Sequence, residues 1–237
     1  MKLTSTSFAD GGAIPAEFAF CAPDPKGHAT LSKNRNPHLA WSDVPSGTKS
    51  FAIVCHDPDV PSRGDDVNQE GRVVRASLPR VDFFHWVLVD LPASVRAVEA
   101  GEFASSVTPH GKPGPQAPRG ARQGINSYTD WFANDASMSG GYHGYDGPCP
   151  PWNDELPHRY VFTVYALDVE RLPVEGSFRG PDVREAVQRV RTSGIPAVRG
   201  ESRITANRTR SCHPRALQRR SAAFSVYVPV IAASAST

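Results

Sequence analysis

The sequence predicts a mostly β fold, a central sheet held inside a sandwich, with a few short helices. Three observations point there. Of 237 residues, 22 are proline and 19 glycine, which favours many short segments joined by turns over a few long helices. Three runs rich in β-branched and aromatic residues, Ser50 to His56, Phe83 to Asp90 and Arg159 to Asp168, are bounded by Pro or Gly and read as strands. Their near-continuous apolar character lacks the polar residue at every second position that a solvated face requires, so a sheet covered on both faces is expected.

Taken in chain order, Met1 to Phe20 has no basic start followed by an apolar run, so it does not read as a secretory leader, and a cytoplasmic location is expected. No apolar stretch reaches the ~18 residues of a spanning helix. Between the strands, Pro61 to Pro79 and the proline-rich Ala104 to Ala121 read as long loops able to edge a binding site. Gly180-Pro181-Asp182 opens a helix: Pro suits its first turn, Asp182 and Glu185 favour its positive end, and Val183, Val187 and Val190 recur at helical spacing. Gly194 and Pro196 are expected to stop it. Past Arg210, Ser, Ala and Arg dominate and only Phe224 to Ile231 reads as a strand. The chain therefore divides into one domain, 1–210, and an Arg/Ser/Ala-rich extension, 211–237.

The formal charge of +2 is too small to imply a nucleic-acid or membrane partner by net field. Nine arginines and a single acid fall between Arg189 and Arg220, leaving 17 basic against 23 acidic residues elsewhere, a net −6. The arginine-rich tail could bind phosphate, but it has no interleaved aromatics and no amphipathic stripe, so no specific nucleic acid is expected. Cys21, Cys55, Cys149 and Cys212 lie far apart without a CxxC pair, so reduced thiols are expected, with Cys55 a small buried hydrophobe. No metal or cofactor is implied.

Three clusters carry chemistry, each at a strand or its end. In Asp57-Pro58-Asp59-Val60-Pro61, two acids spaced two apart on a strand point the same way, and the prolines stiffen the turn and are compatible with a cis bond. In Phe83-Phe84-His85-Trp86, an imidazole sits in an apolar strand, where burial is unfavourable unless it is paired. Gly147-Pro148-Cys149-Pro150-Pro151 leads through a short loop to His158-Arg159-Tyr160; His158 and Tyr160 share a face, while Arg159 points away and is suited to anchoring a carboxylate. Singly, each has an ordinary structural explanation.

Together, DPDxP, the strand-borne His85, and GPCPP followed by HRYVFTVYALD resemble the signature regions of the phosphatidylethanolamine-binding family. Asn36 to Trp41 and Gly47 to Phe51 match its lead-in, and Gly120 to Asn126 is similar to its bacterial YbhB/YbcL, Raf kinase inhibitor-like branch. The likeness spans roughly residues 3–210. It implies an antiparallel β-sandwich with a small anion-holding cavity at one end. Residue by residue, it implies Asp57 as the acid opening DPDxP, Asp59 as its supporting partner, His85 as the strand histidine, Pro150 and Pro151 as the rim, and His158 and Tyr160 as the His and Tyr of HRY. The sequence departs from the pattern in three places: a charged closing strand over Ser202 to Arg208, the unmatched tail after Arg210, and long insertions at 61–79 and 126–145.

The expected function is a small-anion or phospholipid head-group binding module that modulates a kinase or protease; the residues leave a homodimer open. In this reading two imidazoles and a phenol give donors to the anion, and affinity rises as pH falls through the histidine range. No Gly-rich phosphate loop, GxSxG turn or HExxH helix is present. The competing reading is a hydrolase in which Asp57 orients His85 or His158 as a general base, or in which these residues hold a metal, with Cys149 the nearest nucleophile.

Overall fold

The computed structural model describes residues 1–192 and 198–208. A five-stranded sheet forms its centre, in the order Val198–Arg208, His158–Leu167, Ser50–Pro61, Arg80–Pro92, Arg122–Gln123, with every neighbouring pair antiparallel. The three expected strands are the middle of this sheet; Ser50–Pro61 and Arg80–Pro92 run longer than their apolar runs suggested, while His158–Leu167 keeps the expected length and starts one residue earlier.

Side-chain alternation explains the continuous hydrophobicity. Phe51, Ile53 and Cys55 join Trp86, Leu88, Phe162 and Val164 on one face, where they pack with Leu3, Leu39, Trp41 and Val98. Those partners come from a three-stranded antiparallel sheet of Lys2–Thr4, Leu39–Ser42 and Ala97–Val98. On the opposite face Ala52, Val54, Val87, Val89 and Leu167 pack beneath Leu172, Phe178 and the helix Gly180–Thr192, through Val183, Ala186 and Val187. The sheet is thus covered on both sides, and each fully buried large side chain stabilises it by roughly 1.5–3 kcal/mol.

The helix begins as its sequence foretells, with the Arg179 N–H donating to the Asp182 carboxylate at 2.7 Å. Gly180 allows a close approach, because a Cβ there would lie 2.0 Å from the Phe84 ring. The stop expected at Gly194 and Pro196, the strand expected over 224–231 and the extension 211–237 fall outside the described residues.

Two expectations are corrected. Cys21 and Cys149 form a disulfide, with Cα atoms 5.0 Å apart across 128 residues of sequence. The absence of CxxC excludes local pairs only, and the fold supplies the long-range proximity. Among the described residues Cys55 keeps its thiol, buried as expected. The DPDxP prolines are trans; among the described residues the cis peptide is Gly114–Pro115. Among the described residues, small parallel pairings depart from the antiparallel rule: the two-residue contact of Gly111–Lys112 with Gly141–Tyr142, and the single bridges Val74 to Asp154 and Ile125 to Arg179.

Candidate functional site

The site grows from two irregularities in neighbouring strands. Cys55 faces Trp86 but His56 faces Phe84, so His85 is an extra residue on its strand. Further along, Asp57 faces Phe83 while Val60 faces Val81, which leaves an extra residue on the DPDxP side. Such bulges re-aim side chains, and Pro58, having no N–H, suits a break in the ladder. His85 is thereby set against Tyr160, with ring centroids 5.2 Å apart and planes at 69°, and against Phe83 at 4.9 Å and Tyr128 at 5.6 Å.

The clusters read from the sequence therefore converge, and Asp57, His85, His158 and Tyr160 are each no more than 3% exposed. His158 reaches Asp57 Oδ2 through Nδ1 at 2.6 Å and Asp154 Oδ2 through Nε2 at 3.2 Å. Burial alone would disfavour its cation. Hydrogen bonds and charge from Asp154 and Asp57 outweigh that and push its pKa up to about 9. Both N–H groups are spent on carboxylates, so His158 acts as a cationic strut within the wall. That differs from the expectation that it would donate to an anion.

Asp154 also accepts from Arg80, at 2.5 Å from Nη1 and 3.1 Å from Nη2. Asp59 is buried, yet bonds from the Arg159 side chain and backbone N–H hold its carboxyl below the usual range. Arg159 thus points away from the cluster and anchors an acid, as the strand alternation predicted. Asp57 Oδ1 accepts the Asp59 N–H at 2.8 Å, which ties the two acids into one turn.

Beneath His85 lies a network that the sequence reading missed. Its Nδ1 is 2.8 Å from the Asp146 carbonyl, and the Asp146 N–H donates back to the His85 carbonyl at 2.9 Å. The fully buried Asp146 carboxylate is satisfied by Lys112 Nζ at 2.7 Å, Asn34 Nδ2 at 2.7 Å and Asn126 Nδ2 at 2.8 Å. Burial depresses the His85 pKa, and the charges of Asp57 and Asp146 offset this only in part, so the ring is neutral at neutral pH. Asn126 closes the Gly120 to Asn126 motif and Asp146 immediately precedes GPCPP, so local signals existed for both. Lys112 carried none.

Pro150 and Pro151 follow Cys149 in a stretch tied at both ends. Upstream, the Pro148 carbonyl accepts from the Phe20 and Cys21 N–H groups, at 3.0 and 3.2 Å, beside the disulfide. Gly147 lies so close that a Cβ would sit 2.3 Å from the Phe18 carbonyl oxygen. Downstream, Trp152 stacks on His28 at 3.9 Å, and Asp154 reaches His158. A separate cavity of about 300 Å³ in the 61–79 loop is lined by Arg63, Asp65, Asp66 and Arg75 and by none of the cluster residues. Among the described residues, no group of three or more His, Cys, Asp or Glu side chains is placed to hold a metal ion.

A mostly antiparallel sheet ending in DPDxP, a bulge-borne histidine and the HRY strand define the phosphatidylethanolamine-binding class of proteins. The chain belongs to this family: residues 4–193 match the family model described as phosphatidylethanolamine-binding protein. It is similar to the UPF0098 protein YbhB of Escherichia coli K12, with 36% identity over 180 residues covering 76% of this chain and 86% of that one. YbcL of the same organism is 32% identical over 181 residues, covering 76% and 75%. The crystal structure of E. coli YbcL, titled a new member of the mammalian PEBP family, superposes with a TM-score of 0.58 and 27% identity, covering 87% of this chain and 96% of that one.

Proposed function

We propose that this chain is a binding protein, not an enzyme, whose ligand is a small anion of phosphate or phospholipid head-group type held at His85. One observation carries the reading. His85 is almost wholly buried among Tyr160, Phe83 and Tyr128, its Nδ1 is spent on Asp146, and its Nε2 has no hydrogen-bond partner among the described residues. The charges around it are already paired, Asp57 and Asp154 with His158, Arg80 with Asp154, and Asp146 with Lys112. Among the described residues, the carboxylates nearest the ring are thus already paired when an anion arrives. Against the hydrolase reading, Cys149 is locked in the disulfide and burial pushes the Cys55 thiol pKa well up, so neither is a nucleophile.

Titration of the protein with inorganic phosphate at several pH values tests this. Affinity is expected to rise as pH falls, because an imidazolium at His85 adds a charge-assisted donor. The rise is centred below the ordinary imidazole range, since burial lowers this pKa. A flat profile, or loss of the trend in His158→Gln but not in His85→Gln, would reject the assignment. A kinase or protease is the proposed protein target, measured as inhibition that saturating phosphate alters. Where the chain works is weighed by its disulfide: such bonds persist in oxidising compartments, which argues against the cytoplasmic location expected from the residues. No helix among the described residues is long and apolar enough to cross a membrane.

A further inference from the structure

Of the three rings set against the His85 imidazole, Tyr160 and Tyr128 are buried, while Phe83, the nearest at 4.9 Å, is only half-buried. Among these rings, then, it is Phe83 that a ligand seated at His85 and extending towards solvent can lie against. From Phe83 the aromatic surface continues onto the insertion at 126–145. Phe83 meets Tyr128 edge-on at 5.1 Å, and Tyr128 stacks on Phe132 at 5.4 Å and on Phe20 at 4.5 Å. Half-buried Trp131, Phe132 and Met138 pack against the same buried cluster.

This shelf is held in place by the site itself. The Ser127 N–H donates to the Phe84 carbonyl and the Phe84 N–H donates to the Ser127 hydroxyl, both at 2.9 Å, so the insertion is stitched to the residue between Phe83 and His85. Trp131 ends the short helix Tyr128–Trp131, which Arg179 grips through Asp130 at 2.6 and 3.2 Å. A surface ordered in advance loses little freedom when a ligand settles on it. Ligand sites combine apolar and aromatic walls with a few polar groups, and here the half-buried rings adjoin one buried imidazole. In sequence, Asp130 and Asp135 flank Trp131 and Phe132, which disfavours a second anionic group on the shelf and suits an uncharged one.

We infer that the 126–145 insertion supplies an apolar subsite beside His85, and that the ligand is a phosphate ester whose hydrocarbon part lies over Phe83, Trp131 and Phe132 while its phosphate meets the imidazole. The inference rests on the anion-binding reading above and deepens it: esters with a hydrocarbon chain, mono- or diester, are preferred to the same anion without one. Each fully buried methylene strengthens binding about fourfold, so a six-carbon chain covered on one side should gain at least about tenfold.

The test is calorimetric titration of the full chain with two pairs of ligands: inorganic phosphate against hexyl phosphate, and glycerophosphoethanolamine against dihexanoyl phosphatidylethanolamine below its micelle-forming concentration. In each pair the chain-bearing member is expected to bind at least about tenfold more tightly. The relative strength of the two pairs separates a free ester from a lipid head group as the source, and a gain confined to one pair assigns the subsite to that source. In Trp131→Ala the gain is expected to fall at least about threefold, and Trp131→Phe is expected to restore most of it. In the unaltered protein, nuclear Overhauser contacts are expected between the hexyl protons and the rings of Phe83 and Phe132. Equal affinity within both pairs, a gain that survives Trp131→Ala, or the absence of those contacts overturns the apolar subsite while leaving anion binding in place. If none of the four ligands binds, the anion reading itself falls.

Discussion

Replacing Cys149 with Ser opens the loop that Cys21–Cys149 closes, and the effect can be sized from the 128-residue separation. The chain-entropy relation puts the lost constraint on the unfolded state at about 5 kcal/mol, with about 2–4 kcal/mol the usual measured range. The folded state should change little locally, because the Pro148 carbonyl is still held by the Phe20 and Cys21 N–H groups. The assay is urea unfolding of the oxidised protein, the same protein in reductant, and the Cys21→Ser, Cys149→Ser and double variants. With a denaturant slope of about 2–3 kcal/mol per M, the midpoint should fall by about 1–2 M. All reduced or substituted forms should unfold together, since each removes the same bond. An oxidised protein that unfolds at the same urea concentration as the reduced one would refute the reasoning, as would thiol labelling of the unfolded, unreduced chain at Cys21 or Cys149.

Two further outcomes follow from the buried charges. Lys112→Met strands the fully buried Asp146 carboxylate, which should destabilise the protein by about 3–5 kcal/mol in chemical denaturation. It should also raise the His85 pKa in an NMR titration, because the negative charge of Asp146 is no longer balanced. His158 has its folded pKa raised to about 9, so its contribution to stability is complete below the unfolded histidine value of about 6.5 and is lost as pH rises through about 9. Urea stability measured across that window should decline, and the decline should be missing in His158→Gln.

Much of the fold was legible because its signals are local. Alternating buried faces require apolar residues at every position of a doubly covered strand, as in Phe51 to Cys55, and Gly180-Pro181-Asp182 carries its helix start in three residues. The acids of DPDxP and the HRY residues were legible as residue types at strand ends. Two aspects of the site were not. The role of His158 depends on Asp154, which sits in a loop with nothing to mark it as a ligand, so a donor to solvent and a strut between carboxylates read alike in sequence. The Asp146 network joins residues 34, 112, 126 and 146 through long-range contacts that no periodicity encodes, and the disulfide spans a comparable distance. The bulge at His85 was hidden too, because an extra residue in an apolar run leaves the run unbroken.

The extra residue at His85 and the one within 57–60 lie on facing strands, so the second slip undoes the first. Val60 meets Val81 in the same phase in which Val54 meets Val87. The disturbance is confined to a few rungs, and the inside-outside order of the sheet continues unaltered beyond it. Deleting one residue from either side alone would turn every later side chain on that strand to the wrong face. Deleting one from each would restore a regular ladder from Ile53 to Pro61, at the expense of the bend that carries the imidazole.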